Sequence, residues 1–136
     1  IGIGEHFTDN FITNSSQTAM AYIGDDGKYY YYDIKNNTET ELDLNEGTML
    51  ISVAKDKMVY AEEADGGYVF TKLDIKNGEK TELEATGKLI EDYPYEVIEM
   101  ECTYNEEEIE IFIHYDFYDE EYDEWYGMTD TINEIY

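Results

Sequence analysis

Arginine is absent from this chain. Its eight cationic side chains are all Lys, against 34 Asp and Glu, which leaves a formal charge of -26 over 136 residues. Nucleic-acid binding draws on Lys and Arg to displace counterions from phosphates, and a field of this sign repels polyanions and anionic membrane surfaces alike. Without a guanidinium there is no bidentate clamp for a carboxylate or phosphate substrate. Cysteine is nearly absent. Cys102 stands alone, forms no internal disulfide and has no metal-ligand spacing around it, so it reads as a buried thiol. The two histidines, His6 and His114, are too few for a histidine-rich metal site. His114 lies between Ile113 and Tyr115 on an alternating strand, where a packed or hydrogen-bonded ring is the expected state. No apolar run approaches the ~18 residues of a membrane span, so no membrane insertion is expected. Nucleophile-elbow, phosphate-loop and zinc-helix motifs are missing too. Carboxylate pairs are so abundant that they carry no information on catalysis. The chain reads as a non-enzyme with no cofactor beyond, at most, calcium. It begins at Ile1 rather than Met, so its compartment is not read from the N-terminus.

What is present argues for one packed domain over residues 1–136. Hydrophobic residues make up 42% of the chain and aromatics 15%, with 15 Tyr. That is enough apolar material to offset a charge that would otherwise point to disorder. A chain of this length buries ~two-thirds of the surface its unfolded form exposes.

The sequence repeats itself. Asp33 to Leu42 reads DIKNNTETEL and Asp74 to Leu83 reads DIKNGEKTEL, seven of ten positions identical at an offset of 41. Upstream, Met20 to Ile23 answers Met58 to Ala61 at offset 38, and a degenerate third copy starts at Asp116 with DFYDEEYDEW. Gly47, Gly87 and Gly127 recur at intervals of 40. Within each copy the pattern is that of short strands. Ile109, Ile111 and Ile113 alternate with Glu108, Glu110 and Phe112, the period of two that sends alternate side chains to opposite sheet faces. Four strands are expected in the second copy, over Thr48 to Val53, Lys57 to Glu62, Tyr68 to Asp74 and Glu79 to Leu83. Asn77-Gly78 reads as a two-residue hairpin turn with both residues at φ > 0. Asn36-Asn37 and Asp119-Glu120 take the same place in the other copies. Asp33, Asp74 and Asp116 then end a strand and accept backbone N–H bonds of the turn.

A four-stranded meander repeating at about 40 residues is the sequence signature of a β-propeller blade. The motif of a hydrophobic strand, an Asp-Ile-Lys-Asn-Gly-type turn and Thr-Glu-Leu resembles blades of the TolB-type and related WD-like propellers of bacterial envelope proteins. The resemblance spans most of residues 18 to 125, although the Trp-Asp dipeptide of WD repeats is missing. It implies a binding scaffold, periplasmic or extracellular, and no particular reaction. The expected fold is therefore all-β: about three four-stranded antiparallel meanders stacked side by side as a partial or open propeller. The approximate repeats are 5–46, 47–86 and 87–126, with 127–136 a tail or the start of a further strand. Three blades do not close a ring. The chain is expected to be part of a larger ring, monomeric or a weak homodimer.

In such a stack, loops alternate between two ends. One end is expected to collect Gly24 to Gly27, Glu62 to Gly67, Asn105 to Glu107, and the inter-blade segments Asp43 to Glu46 and Glu84 to Thr86. Its partner-binding candidates are Asp25, Asp26, Glu62, Glu63, Asp65, Glu106 and Glu107, and the opposite end carries Lys35, Lys55, Lys57 and Lys76. An acidic rim would steer a basic partner or gather calcium. Asp119, Glu121 and Asp123 follow the alternate spacing of a calcium loop, although Glu124 stands where such a loop needs Gly. Residues 89–136 hold 17 acids and no Lys. The expected function is a non-catalytic binding or structural module of a cell-envelope or secreted protein. The alternative is an acidic inhibitor or immunity-type protein that mimics a polyanion against a basic protein surface.

Overall fold

The structure, a computed structural model, describes residues 4–64, 67–83 and 96–136. Eleven strands and no helix occur among the described residues. The first sheet is β1 (Phe11–Thr13), β2 (Ala19–Ile23), β3 (Tyr29–Asp33) and β4 (Thr38–Leu42), paired antiparallel in chain order. The second repeats that order with β5 (Met49–Ala54), β6 (Lys57–Ala64), β7 (Gly67–Asp74) and β8 (Lys80–Leu83). The third has three strands, β9 (Glu96–Tyr104), β10 (Glu108–Asp119) and β11 (Glu124–Ile135). The all-β expectation of stacked antiparallel meanders holds, and the sheets stay open rather than closing into a barrel. Residues 127–135 are all but the first three residues of β11.

Alternation in the sequence explains the stacking. Four consecutive tyrosines form most of β3, and successive side chains point to opposite faces. Tyr29 and Tyr31 pack with Ala19, Ala21 and Leu42 against Val53, Met58, Tyr60 and Leu73 of the second sheet. Tyr30 and Tyr32 turn the other way, meet Tyr22 and are covered by Phe7. The second sheet uses its other face, Val59, Ala61, Phe70 and Leu83, to receive Ile109, Ile111, Ile113 and Ile132 of the third. Truncating any one of these buried isoleucines to Ala removes about 2–5 kcal/mol. Tyrosine fits here because several of the buried hydroxyls find partners. Tyr29 donates to the Thr48 carbonyl at 2.7 Å, Tyr31 accepts from the Asp56 amide at 2.9 Å, and Tyr32 donates to the Asn37 side chain. The first strands gather at the inner edge, β5 lying beside both β1 and β9.

The hairpin turns differ from expectation in one respect. Of Asn77 and Gly78, only Gly78 takes positive φ, +74°. The connection is a four-residue loop whose last residue is left-handed, closed by Asp74 N–H to the Glu79 carbonyl at 2.9 Å. Asn37 (+58°) and Asp123 (+51°) occupy the same position four residues after Asp33 and Asp119. Gly, Asn and Asp are the residues that tolerate this conformation. Asp33 accepts from Asn36, Asp74 from the amides of Lys76 and Asn77, and Asp119 from those of Glu121 and Tyr122. The third anchor is thus Asp119. Asp116, expected in that role, lies inside β10 opposite Gly127.

Candidate binding surface

Strand direction decides which loops share an end. Tyr29 bonded to Thr48 sets the start of β3 beside the start of β5, so the β2–β3 and β4–β5 connections leave together. Tyr104, at the end of β9, donates to the Thr13 carbonyl at the end of β1, at 2.6 Å. One residue further, Asn14 Nδ2 reaches Glu106 Oε2 at 2.9 Å, while Ser15 Oγ and the Ser16 amide reach Oε1, both at 3.0 Å. The Asn105–Glu107 loop therefore sits at the β1–β2 end. It does not join the β2–β3 loop with Asp25 and Asp26 or the end of β6 with Glu62 and Glu63. The expected rim is corrected accordingly: Glu106 and Glu107 leave it, and the β10–β11 turn of residues 120–123 joins it. The cause is the strand count. With β9 as the inner strand of a three-stranded sheet, the loop after it is a first connection and the turn after β10 a second one. Asp65 and the Glu84 to Thr86 segment lie outside the described residues.

The resulting end is strongly acidic. It presents Asp25 and Asp26 after β2, Asp43 and Glu46 after β4, Glu62 and Glu63 at the end of β6, and the acids of the β10–β11 turn. Two cations reach it among the described residues: Lys28, 3.1 Å from Glu41, and Lys80, whose ammonium lies 3.2 Å from the Asp43 carbonyl. An open groove of about 600 Å³ runs along it between Asp26, Lys28, Glu41, Asp43 and Glu46. At the other end stand Lys35, Lys55, Lys57 and Lys76, with Lys76 3.3 Å from Asp56.

At the β2–β3 turn, His6 folds back onto the acids. Its Nδ1 is 2.9 Å from Asp25 Oδ1 and 3.7 Å from Asp26 Oδ2, and its ring stacks on Tyr30 with centroids 4.8 Å apart. The bond to Asp25 holds the imidazole above its ordinary value of 6.5, and the charges of Asp26, Asp25 and Glu39 add to this. Tyr30 donates to Asp26 Oδ2 at 2.5 Å, the main reason the Asp26 carboxyl lies below its usual range. Among the described residues, His6, Asp25 and Asp26 are the set of three potential metal ligands whose donor atoms lie within 4.8 Å of one another. Asp119, Glu121 and Asp123 are not brought together in that way.

The other chemistry-bearing side chains are engaged in packing. His114 Nδ1 is 3.0 Å from Thr129 Oγ1. Cys102 is half-buried beside the Ile111 cluster, and burial pushes its thiol up to about 11. Sequence reasoning missed Asn14, whose amide organises the β1–β2 turn. Its Oδ1 accepts from the Thr18 and Ala19 amides at 2.9 and 3.1 Å, and the residue is 2% exposed. Its signal was Asn-Ser-Ser between two strands, a turn composition that does not announce a bond to residue 106. No family model matches the chain, and no curated protein matches it.

Proposed function

We propose that this chain is a non-catalytic, β-propeller-like binding module of a cell-envelope or secreted protein, and that its acidic end engages a basic protein surface. The observation that carries this reading is the segregation of charge. Carboxylates from all three sheets leave at one end with little Lys beside them, while at the other Lys35, Lys55, Lys57 and Lys76 stand among Asp33, Asp56, Asp74, Glu106 and Glu107 and offset part of their charge. Such an arrangement steers a cationic partner into one orientation. The propeller-like part is supported by meanders in chain order and by inner strands β1, β5 and β9 gathered at one edge. The test is titration of a Lys-rich peptide at rising ionic strength. Affinity that falls steeply with salt supports the reading, and no binding at low salt removes it.

The polyanion-mimic reading draws on a separate feature. The face of the third sheet turned away from the core carries Glu101, Glu108 and Glu110, and no Lys occurs after Lys88. Competition between this protein and a nucleic acid for one basic partner would favour it. Simultaneous binding of both would remove it.

A further inference from the structure

The tip of the third sheet combines two features seldom exposed together. Among the described residues, β9 pairs with β10 only as far as Asp116, opposite Glu96. From Phe117 to Tyr126 the described pairing is between β10 and β11 alone. On this two-stranded ribbon Trp125 is 67% exposed and Tyr122 66%, with Tyr118 next most exposed of the three. Tyr118 and Trp125 face each other across the strands with centroids 5.2 Å apart, so their rings form one continuous aromatic surface. Isolated exposed apolar residues are ordinary, whereas a rigid aromatic cluster in water marks a contact surface.

Charge selects the occupant. Asp116, Glu120, Glu121 and Asp123 lie on the same ribbon and turn as the rings, and the nearest Lys in sequence is Lys88. A second copy docking tip to tip would bring these carboxylates together, and a polyanion or anionic membrane is repelled as strongly. A cation is attracted twice, by the negative ring faces and by the carboxylates beside them. Arginine suits both best, because its planar guanidinium stacks on an aromatic ring while its edge bonds a carboxylate in bidentate fashion. We infer that the β10–β11 tip is the anchoring site for an Arg/Lys-rich segment of a partner protein, with Tyr118, Tyr122 and Trp125 supplying stacking surfaces and the flanking acids the ion pairs. This rests on the reading that the acidic end takes a basic partner, and it names the part of that end that holds the partner.

Trp125 is the sole tryptophan and therefore its own reporter. The full chain is titrated with an Arg/Gly peptide, a Lys/Gly peptide and a citrulline/Gly control, read by Trp fluorescence and by calorimetry. The expected result is a saturable change in emission with the Arg peptide, a weaker response with Lys, and none with citrulline. Tyr122→Ala and Glu120→Gln/Glu121→Gln, with unchanged circular dichroism, each weaken Arg-peptide binding roughly fivefold or more. Calorimetric binding with silent Trp125 and unaffected variants would overturn the tip as the site while leaving the acidic-end reading standing. No binding at low salt would end both. A dimer in the ultracentrifuge that Trp125→Ala dissolves would show the occupant to be a second copy, and would also overturn the proposal.

Discussion

Glu106 accepts a hydrogen bond from the Asn14 side chain at 2.9 Å across 92 residues of sequence, tying the third sheet to the turn that begins the first. The same carboxylate takes the Ser15 hydroxyl and the Ser16 amide. Partial burial works to raise its pKa, but the bonds from Ser16, Asn14 and Ser15 outweigh it and hold it below the ordinary 4.5. A depressed carboxyl stabilises the fold above its unfolded value and ceases to do so as pH falls through its folded value. Glu106→Gln is expected to cost about 1 kcal/mol at pH 7, allowing for solvent at this exposed site. The cost shrinks as pH falls from 4.5 through the folded value, and urea unfolding across pH checks both parts.

Asn14 is the more sensitive partner because it is buried. Asn14→Asp replaces the amide that faces Glu106 with a second carboxylate, so it is expected to destabilise more than Asn14→Ala, itself about 2 kcal/mol. Equal losses in urea melts would mean that Glu106 does not sense residue 14.

His6 gives the fold a pH response of opposite sign. Its folded value is raised, chiefly by the hydrogen bond to Asp25, so its stabilising effect is complete below pH 6.5 and lost as pH rises through the folded value. The NMR titration of His6 should lie above that of His6 in denaturant, and Asp25→Asn should lower it. In His6→Gln the loss of stability as pH rises above 6.5 should disappear. An unshifted titration in the native protein would contradict the His6–Asp25 contact.

Much of the fold was legible from the residues. Strict alternation at Ile109, Ile111 and Ile113 dictated a strand, and the two Asp-Ile-Lys-Asn copies marked equivalent hairpins because the same Asx chemistry and left-handed residue serve both. The second sheet lies within two residues of its expected strands. The third was misaligned for a physical reason. In DFYDEEYDEW every position is acidic or aromatic, so composition does not distinguish Asp116 from Asp119 as the anchor, whereas the backbone does. The informative cue is Asp123, four residues after Asp119 as Asn37 is after Asp33. That three-residue shift, together with a third sheet that has three strands among the described residues, reversed the end at which Glu106 and the β10–β11 turn are displayed.

The register is directly testable. Asp119→Ala and Asp74→Ala should each cost about 1 kcal/mol through loss of turn amide acceptors, and Gly78→Val more, since φ is +74° there. Asp116→Asn should fall within about 0.5 kcal/mol of the parent. If Asp116→Asn proves the costly substitution and Asp119→Ala the silent one, the turn assignment is wrong.

Metal dependence should be nonspecific. With Asp119 committed to the Glu121 and Tyr122 amides, calcium and magnesium at equal ionic strength should raise the melting temperature equally, by screening carboxylate repulsion. A calcium-specific increment removed by Asp119→Asn would establish a site there instead.

The segregation of charge is tested most directly by moving one charge change from end to end. Glu62→Gln/Glu63→Gln and Glu107→Gln/Glu108→Gln each remove two negative charges, the first pair at the acidic end and the second at the end beside Asn14. Calorimetric titration with the Arg-rich peptide at low salt should show weakened binding for the first variant and affinity close to the parent for the second. Equal weakening in both would mean that only net charge matters, and the oriented acidic face would be contradicted.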